Sequence, residues 1–171
     1  YSIKNYNNDH GTHVAGIVAG NPPDTSKYAR GVAPNAQLAI MRVFGNDKNK
    51  GAKSADYARA IRDAIKLGAD TINMSLGGGA GISLMEDATF GKALDDAKKA
   101  GIYVVIANGN DGNFGFLSGL PKVENPDYGV VATPAIFPDS FSVAYYENTK
   151  STVKYFDIEN PFLSYLAEWL L

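Results

Sequence analysis

His10 and His13, the sequence's two histidines, fall in one short string, His10-Gly11-Thr12-His13-Val14-Ala15-Gly16, which runs into further small apolar residues. Neutral imidazole titrates near neutral pH, so a histidine here can serve as a general base, and a glycine beside it lets a substrate backbone approach. Val14, Ile17 and Val18 recur at helical spacing. This predicts a buried helix that carries the histidines in its first turn and stops at Gly20. The positive end of a helix disfavours imidazolium, so such a base needs a carboxylate partner to orient it and to stabilise its protonated form. As an isolated pair, the two histidines also fit a capping or core role.

A metal site is the competing chemistry, because Asp9, His10 and His13 are close in sequence. Helical zinc sites of hydrolytic enzymes set two histidines four apart on one face with a glutamate between them. Here the histidines are three apart and the residues between them are Gly11 and Thr12, so the spacing argues against a metal.

The elements that must position these residues follow from periodicity. Residues 21–30 read as a polar connection, and Gly31-Val32-Ala33-Pro34 turns into a strand-like run over residues 37–44. Ser54 is the expected N-cap of a helix that reaches Leu67, with Ala58, Ile61 and Ile65 on one face, and Gly68 stops it. Residues 70–76 form a β-branched run closed by Gly77-Gly78-Gly79. Residues 86–100 form a second helix, with Phe90, Ala93, Leu94 and Ala97 at spacings of three and four, stopped by Gly101. The run 102–107 is apolar throughout, which suits a strand covered on both faces of a parallel sheet. Residues 140–146 give a further strand. Strand, helix, strand, helix, strand is the rhythm of a doubly wound α/β domain. Residues 111–128 show little pattern, and residues 161–171 are apolar and aromatic.

Composition narrows the function. A chain of 171 residues can bury one sizeable core, and 45% apolar with 20% charged residues is a globular balance. Apolar runs stay far below the roughly 20 residues of a membrane span. The net charge of −2, without a Lys/Arg stripe, argues against nucleic acid and anionic lipid as partners. With zero cysteines, thiol catalysis, a cysteine zinc site and disulfides are excluded. Residues 1–9 are polar and carry neither an initiator Met nor an apolar leader core, so the expectation is a sequence that begins inside a longer one.

The seven-residue histidine string resembles the histidine motif of subtilases, subtilisin-like serine proteases. Gly31-Val32-Ala33-Pro34, Asn73-Met74-Ser75-Leu76-Gly77-Gly78 and Ile106-Ala107-Asn108-Gly109-Asn110 follow in the order and at about the separations of that family. The stretches 39–43, 60–64 and 125–131 are similar to those of streptococcal cell-envelope proteinases of the complement-cleaving type. The resemblance implies a subtilisin-like, mostly parallel sheet with helices on both faces. It divides the chain into a partial catalytic domain at 1–148 and an unmatched tail at 149–171. It implies that His10 is the general base, with His13 structural, and that Asn110 is the side-chain donor of the oxyanion hole. Ser75, Leu76 and Gly77 would pair with the extended substrate, glycine allowing a peptide backbone to come close enough to add as a strand. Ala107, Asn108 and Gly109 would form the opposite pocket wall, where Asn108 is bulkier than the family's usual residue. Without that context, residues 77–81 read as a flexible turn and Asn110 as a turn asparagine.

The same comparison shows what the sequence lacks. The family's nucleophile segment, Gly-Thr-Ser-Met-Ala, has no copy here, nor has the upstream strand end Asp-Ser/Thr-Gly. Asp9, adjacent to His10, cannot face it from a helix start, and Ser75 stands on the expected binding strand. The expectation is a fragment of a secreted or cell-wall attached serine endopeptidase that is inactive alone and acts on protein or peptide substrates with the rest of the same protease. The competing class is a non-catalytic peptide-binding module that keeps the cleft. The chemistry needs no cofactor. Calcium fits only as a structural ion, and residues 21–30 supply no clear ligand set.

Overall fold

The computed structural model describes residues 10–25, 27–45, 51–80, 88–110 and 131–144. Asp9, the region 111–130 and the tail 149–171 therefore lie outside the described residues, as do the first residues of the helix expected at 86–100 and the last of the strand expected at 140–146.

Helix α1 spans His10–Ala19, α2 Ser54–Lys66 and α3 Ala88–Lys99. Strand β1 is Thr71–Met74, β2 Gly78–Ala80, β3 Tyr103–Ala107, β4 Ala132–Thr133 and β5 Phe141–Val143. Strands β1, β3 and β5 form one parallel sheet in the order β1-β3-β5. Ile72 sits opposite Val104 and Met74 opposite Ile106, while Val105 sits opposite Phe141. Strands β2 and β4 make a second, antiparallel pair beyond the carboxyl ends of β1 and β3.

The core lies on one face of the parallel sheet. Side chains alternate along a strand, so Val104 and Ile106 of β3 point the same way, together with Met74 of β1. They are buried in one cluster with Ala58 and Ile61 of α2, and with Phe90, Ala93, Leu94 and Ala97 of α3. The helix spacings read from sequence are those of this buried stripe. An edge-to-face chain of rings fills it: Tyr57 to Phe90 at 6.3 Å and Phe90 to Phe137 at 5.0 Å between centroids. Burial, and then the adjacent Asp56 carboxylate, push the Tyr57 phenol above its ordinary value. Arg62 of α2 donates to Asp96 of α3 at 3.1 Å, a half-exposed pair worth at most about 1 kcal/mol. Packing, not charge, joins the helices.

Four expectations are corrected. The cap of α2 is Lys53, not Ser54. The Asp56 carboxylate accepts the Lys53 backbone N–H at 3.1 Å, and since a lysine side chain has no acceptor, only this half of a capping box operates. Helix α1 buries none of its residues, and Ile17 is exposed. An apolar stripe shows that a face seeks cover, not that cover is present. Residues 37–44 form no strand among the described residues, and Leu38 and Ile40 are exposed. Residue propensity marks a segment that fits a pleated surface, but a strand exists only against a partner ladder. Finally, β3 is covered on one face only by the described residues: Tyr103 is 72% exposed, as is Phe141 of β5 at 62%. Both stand on the sheet face opposite α2 and α3.

Candidate active site

The residues expected to form the two cleft walls meet at the carboxyl end of the sheet. Because β1 and β3 run parallel in register up to Met74 and Ile106, the chain leaves both strands at the same level. Ser75, Leu76 and Gly77 therefore emerge beside Ala107, Asn108 and Gly109. The first group lies between β1 and β2, outside both ladders. Carboxyl ends of adjacent parallel strands are where open α/β sheets place their ligands.

A third segment ties these ends together. Gly78 of β2 pairs with Thr133 of β4, and Ala80 with Ala132. The Ala132 N–H donates to the Asn108 carbonyl at 2.9 Å, and the Asn108 N–H donates to the Val143 carbonyl at 2.8 Å. Residues 132–133 thus reach both walls. Sequence reading missed β2 and β4, because a Gly-rich triplet and a two-residue strand carry no periodic signal. It read the glycines at 77–79 as a closure or a flexible turn, and the ladder to β4 makes 78–80 a strand.

The individual side chains have distinct environments. The Asn73 amide donates to the Ser75 hydroxyl at 3.0 Å, so this serine is engaged by an amide, not by a base. Leu76 is partly buried and packs against the core. At Gly77, a Cβ would come within 3.1 Å of the Thr133 carbonyl oxygen and 3.2 Å of the Ala132 methyl. Ala107 is half-buried at the end of β3, and Asn110 is exposed just after it. The Asn108 side chain accepts a hydrogen bond from the Ser142 hydroxyl at 2.6 Å. It is turned along the sheet toward β5, and sequence gave no sign of that partner.

His10 stands apart from this cluster in how it is supported. It is the first residue of α1 and exposed, while His13 is half-buried. Support for α1 comes at its other end: the N–H groups of Gly31, Val32 and Ala33 donate to the carbonyls of Gly20, Ile17 and Val18 at 2.8, 2.9 and 2.7 Å. These bonds satisfy last-turn carbonyls that a helix leaves unpaired. A Cβ on Gly31 would collide with the backbone nitrogens of Ala19 and Gly20, which explains the glycine in that motif. The histidine helix contributes no residue to the core that fixes the cleft walls. His10 and the strand-end cluster thus rest on separately supported parts of the chain.

Residues 1–164 match the model of the subtilase family of peptidases. The chain belongs to the subtilase family. It is 45% identical over 147 residues to a C5a peptidase of Streptococcus pyogenes, a match that covers 83% of this chain and 12% of that protein. It is 40% identical over 148 residues to a PII-type proteinase of Lactococcus lactis subsp. cremoris, covering 82% of this chain and 8% of the other. The chain therefore spans a small part of these relatives' length. Among solved structures, it resembles the patellamide maturation protease PatA with a TM-score of 0.61 and 27% identity, over 81% of this chain and 44% of that one. Sphericase gives a TM-score of 0.58 and 26% identity, over 81% and 40%. The fold expected from the sequence motifs is thus the subtilisin-like one, with the parallel sheet and its helices in place.

Among the described residues of this subtilase chain, no group of three or more His, Asp or Glu side chains could hold a metal ion. Gly109 is the position where the cleft geometry is most demanding. Its φ of +100° lies in the region that favours glycine, and a Cβ there would stand 2.8 Å from the Ala132 methyl. Gly109→Ala is expected to cost about 1–3 kcal/mol, read as a lowered urea midpoint. An unchanged midpoint would show that the turn is looser than this geometry.

Proposed function

We propose that this chain supplies the base, the oxyanion donor and the substrate cleft of a subtilisin-like serine endopeptidase acting on extracellular proteins or peptides. The observation that carries the reading is the side-by-side emergence of residues 75–77 and 107–109 from parallel strands, in a chain that also holds the subtilase histidine string. An extended substrate would lie between the two walls and add to the backbone at Ser75, Leu76 and Gly77. His10 would take the proton of an attacking serine and return it to the leaving amine, after which a water molecule, deprotonated the same way, would release the acyl group. The Asn110 amide would stabilise the negative carbonyl oxygen between those steps. A preorganised donor of this kind is worth about 3 kcal/mol, a figure established for subtilisin itself and carried over to this relative.

The serine and the orienting aspartate would come from segments that this sequence does not contain, so residues 1–148 act as part of a catalytic domain. The relatives' names, a C5a peptidase and a PII-type proteinase, support a protein substrate, and a secreted or cell-wall location belongs to the same proposal. No described helix is long and apolar enough to cross a membrane. The missing nucleophile favours one other reading, a module that binds peptides without cleaving them.

Both readings are tested with casein. The 171-residue chain alone is expected to show no hydrolysis above background. Supplying the aspartate and serine segments of a subtilase in trans is expected to produce turnover that a serine-directed fluorophosphonate abolishes. Turnover by the chain alone, blocked by the same reagent, would overturn the division of the site. Peptide binding that never becomes cleavage in the complemented mixture would favour the binding module.

A further inference from the structure

We propose that Asn108 is a positioning residue that, with Ser142, clasps the end of β3 to β5 and so fixes where Gly109 and Asn110 stand. The catalytic part of this inference rests on the peptidase reading above. The clasp itself stands on geometry.

Three hydrogen bonds converge on Asn108 from two other segments. Its N–H donates to the Val143 carbonyl at 2.8 Å, its carbonyl accepts the Ala132 N–H at 2.9 Å, and its side-chain oxygen accepts the Ser142 hydroxyl at 2.6 Å. Register explains the last bond. Ser142 sits opposite Ile106, and Asn108 directly follows the last residue of β3, two positions beyond Ile106. The side chain therefore leans along the sheet toward Ser142. Asn108 contributes backbone to the pocket wall, and its bulk does not narrow the pocket in the way its size alone suggests.

The next residue transmits the constraint. Gly109 passes so close to Ala132 that a Cβ would overlap its methyl, and Ala132 is itself bonded to Asn108. The chain between Asn108 and Asn110 thus has little room to shift while the clasp holds. An oxyanion donor contributes through preorganisation, so a residue that holds the donor's backbone in place acts on the rate without touching substrate.

The test uses Ser142→Ala, Asn108→Ala, their double variant, and Ser142→Thr, which keeps the hydroxyl. Amide hydrogen exchange on the 171-residue chain is expected to speed up about fivefold at Asn108 and Ala132 in the alanine variants, the size for one partly exposed hydrogen bond. Val104 and Ile106 should exchange as before, and Ser142→Thr should restore the original rates. The double variant should lose no more than either single one, as for two groups sharing one bond. Unchanged exchange at Ala132, or equal acceleration throughout the sheet, would overturn the clasp. In the protease complemented in trans, Ser142→Ala is expected to lower kcat about fivefold with KM and side-chain preference unchanged. A change in KM or preference at constant kcat would instead make Asn108 a pocket-wall residue and overturn the positioning role. If the complemented wild-type mixture does not cleave at all, the peptidase reading fails, while the exchange experiment still decides the clasp.

Discussion

His10→Ala in the protease complemented in trans is expected to lower kcat by a factor on the order of 10⁶, the loss established for the base of subtilisin and carried over to this relative. His10 and His13 are the sequence's two histidines, and only His10 stands at the start of α1, exposed, where a side chain can meet substrate. His13 is half-buried one turn on. A serine hydroxyl attacks a peptide carbonyl only as its proton leaves, and imidazole is the group titrating in the right range to accept it. Alanine removes that acceptor and leaves the cleft untouched, because α1 shares no residue with the core that fixes residues 75–77 and 107–109. The far-ultraviolet circular dichroism of the variant should match the parent, since alanine is the best helix former. His13→Ala is the internal comparison and should retain turnover. Retained activity in His10→Ala, or its loss in His13→Ala with the fold intact, would move the base to the other histidine or out of this chain.

What could be read from sequence divides according to whether an element's signal is internal or depends on a partner. Helices α2 and α3 were legible because Ala58, Ile61, Phe90, Ala93, Leu94 and Ala97 repeat at helical spacing and all reach one cluster. Strands β1 and β3 were legible as apolar or β-branched runs bounded by glycine, and β5 as a run rich in apolar and aromatic residues. The run 37–44 carries the same signal and forms no strand, since nothing in its residues encodes whether a ladder lies alongside. The stripe of α1 likewise marks a face without guaranteeing its cover. Strands β2 and β4 were illegible for the opposite reason: Gly78, Gly79 and Ala80 have no pattern, and only the position of residues 132–133 makes them a strand.

The site shows the same division. Its expected walls could be placed because residues 75–77 and 107–109 stand in strings that resemble subtilase motifs. The environment of each wall residue could not. Asn108 reads as a bulky pocket residue until Ser142, 34 positions away, is seen beside it. Ser75 reads as a residue of the expected substrate-binding strand, and nothing in that reading shows the Asn73 amide that donates to its hydroxyl. Long-range electrostatics were equally hidden. Asp139, just before β5, accepts from Lys98 of α3 at 2.6 Å, and that hydrogen bond, with the carboxylate's charge, holds the lysine above its ordinary value.

Phe90→Ala is expected to cost about 3–5 kcal/mol, the usual range for removing a fully buried aromatic side chain. Phe90 is 1% exposed and stands at the centre of the ring chain, 5.0 Å from Phe137 and 6.3 Å from Tyr57. Its removal deletes apolar burial, opens a cavity between α2, α3 and residue 137, and ends two edge-to-face contacts, each worth about 0.5–1.5 kcal/mol within that total. Since whole domains are stable by only about 5–15 kcal/mol, the urea midpoint should fall steeply. The near-ultraviolet signal of the packed rings should fall with it. Phe141→Ala is the comparison on the opposite sheet face. At 62% exposure, its side chain has little burial to lose, and a change within about 0.5 kcal/mol is expected. An equal cost at the two positions would show that the outer face is packed in solution as firmly as the inner one. The consequence for the cleft follows from the chain itself. Phe137 lies five residues after Ala132, and the Ile136 N–H donates to the Ala132 carbonyl at 3.1 Å. A cavity beside Phe137 therefore loosens the segment that ties Asn108 to β2. The substitution should weaken peptide binding at the strand ends even at urea concentrations where the helices remain folded.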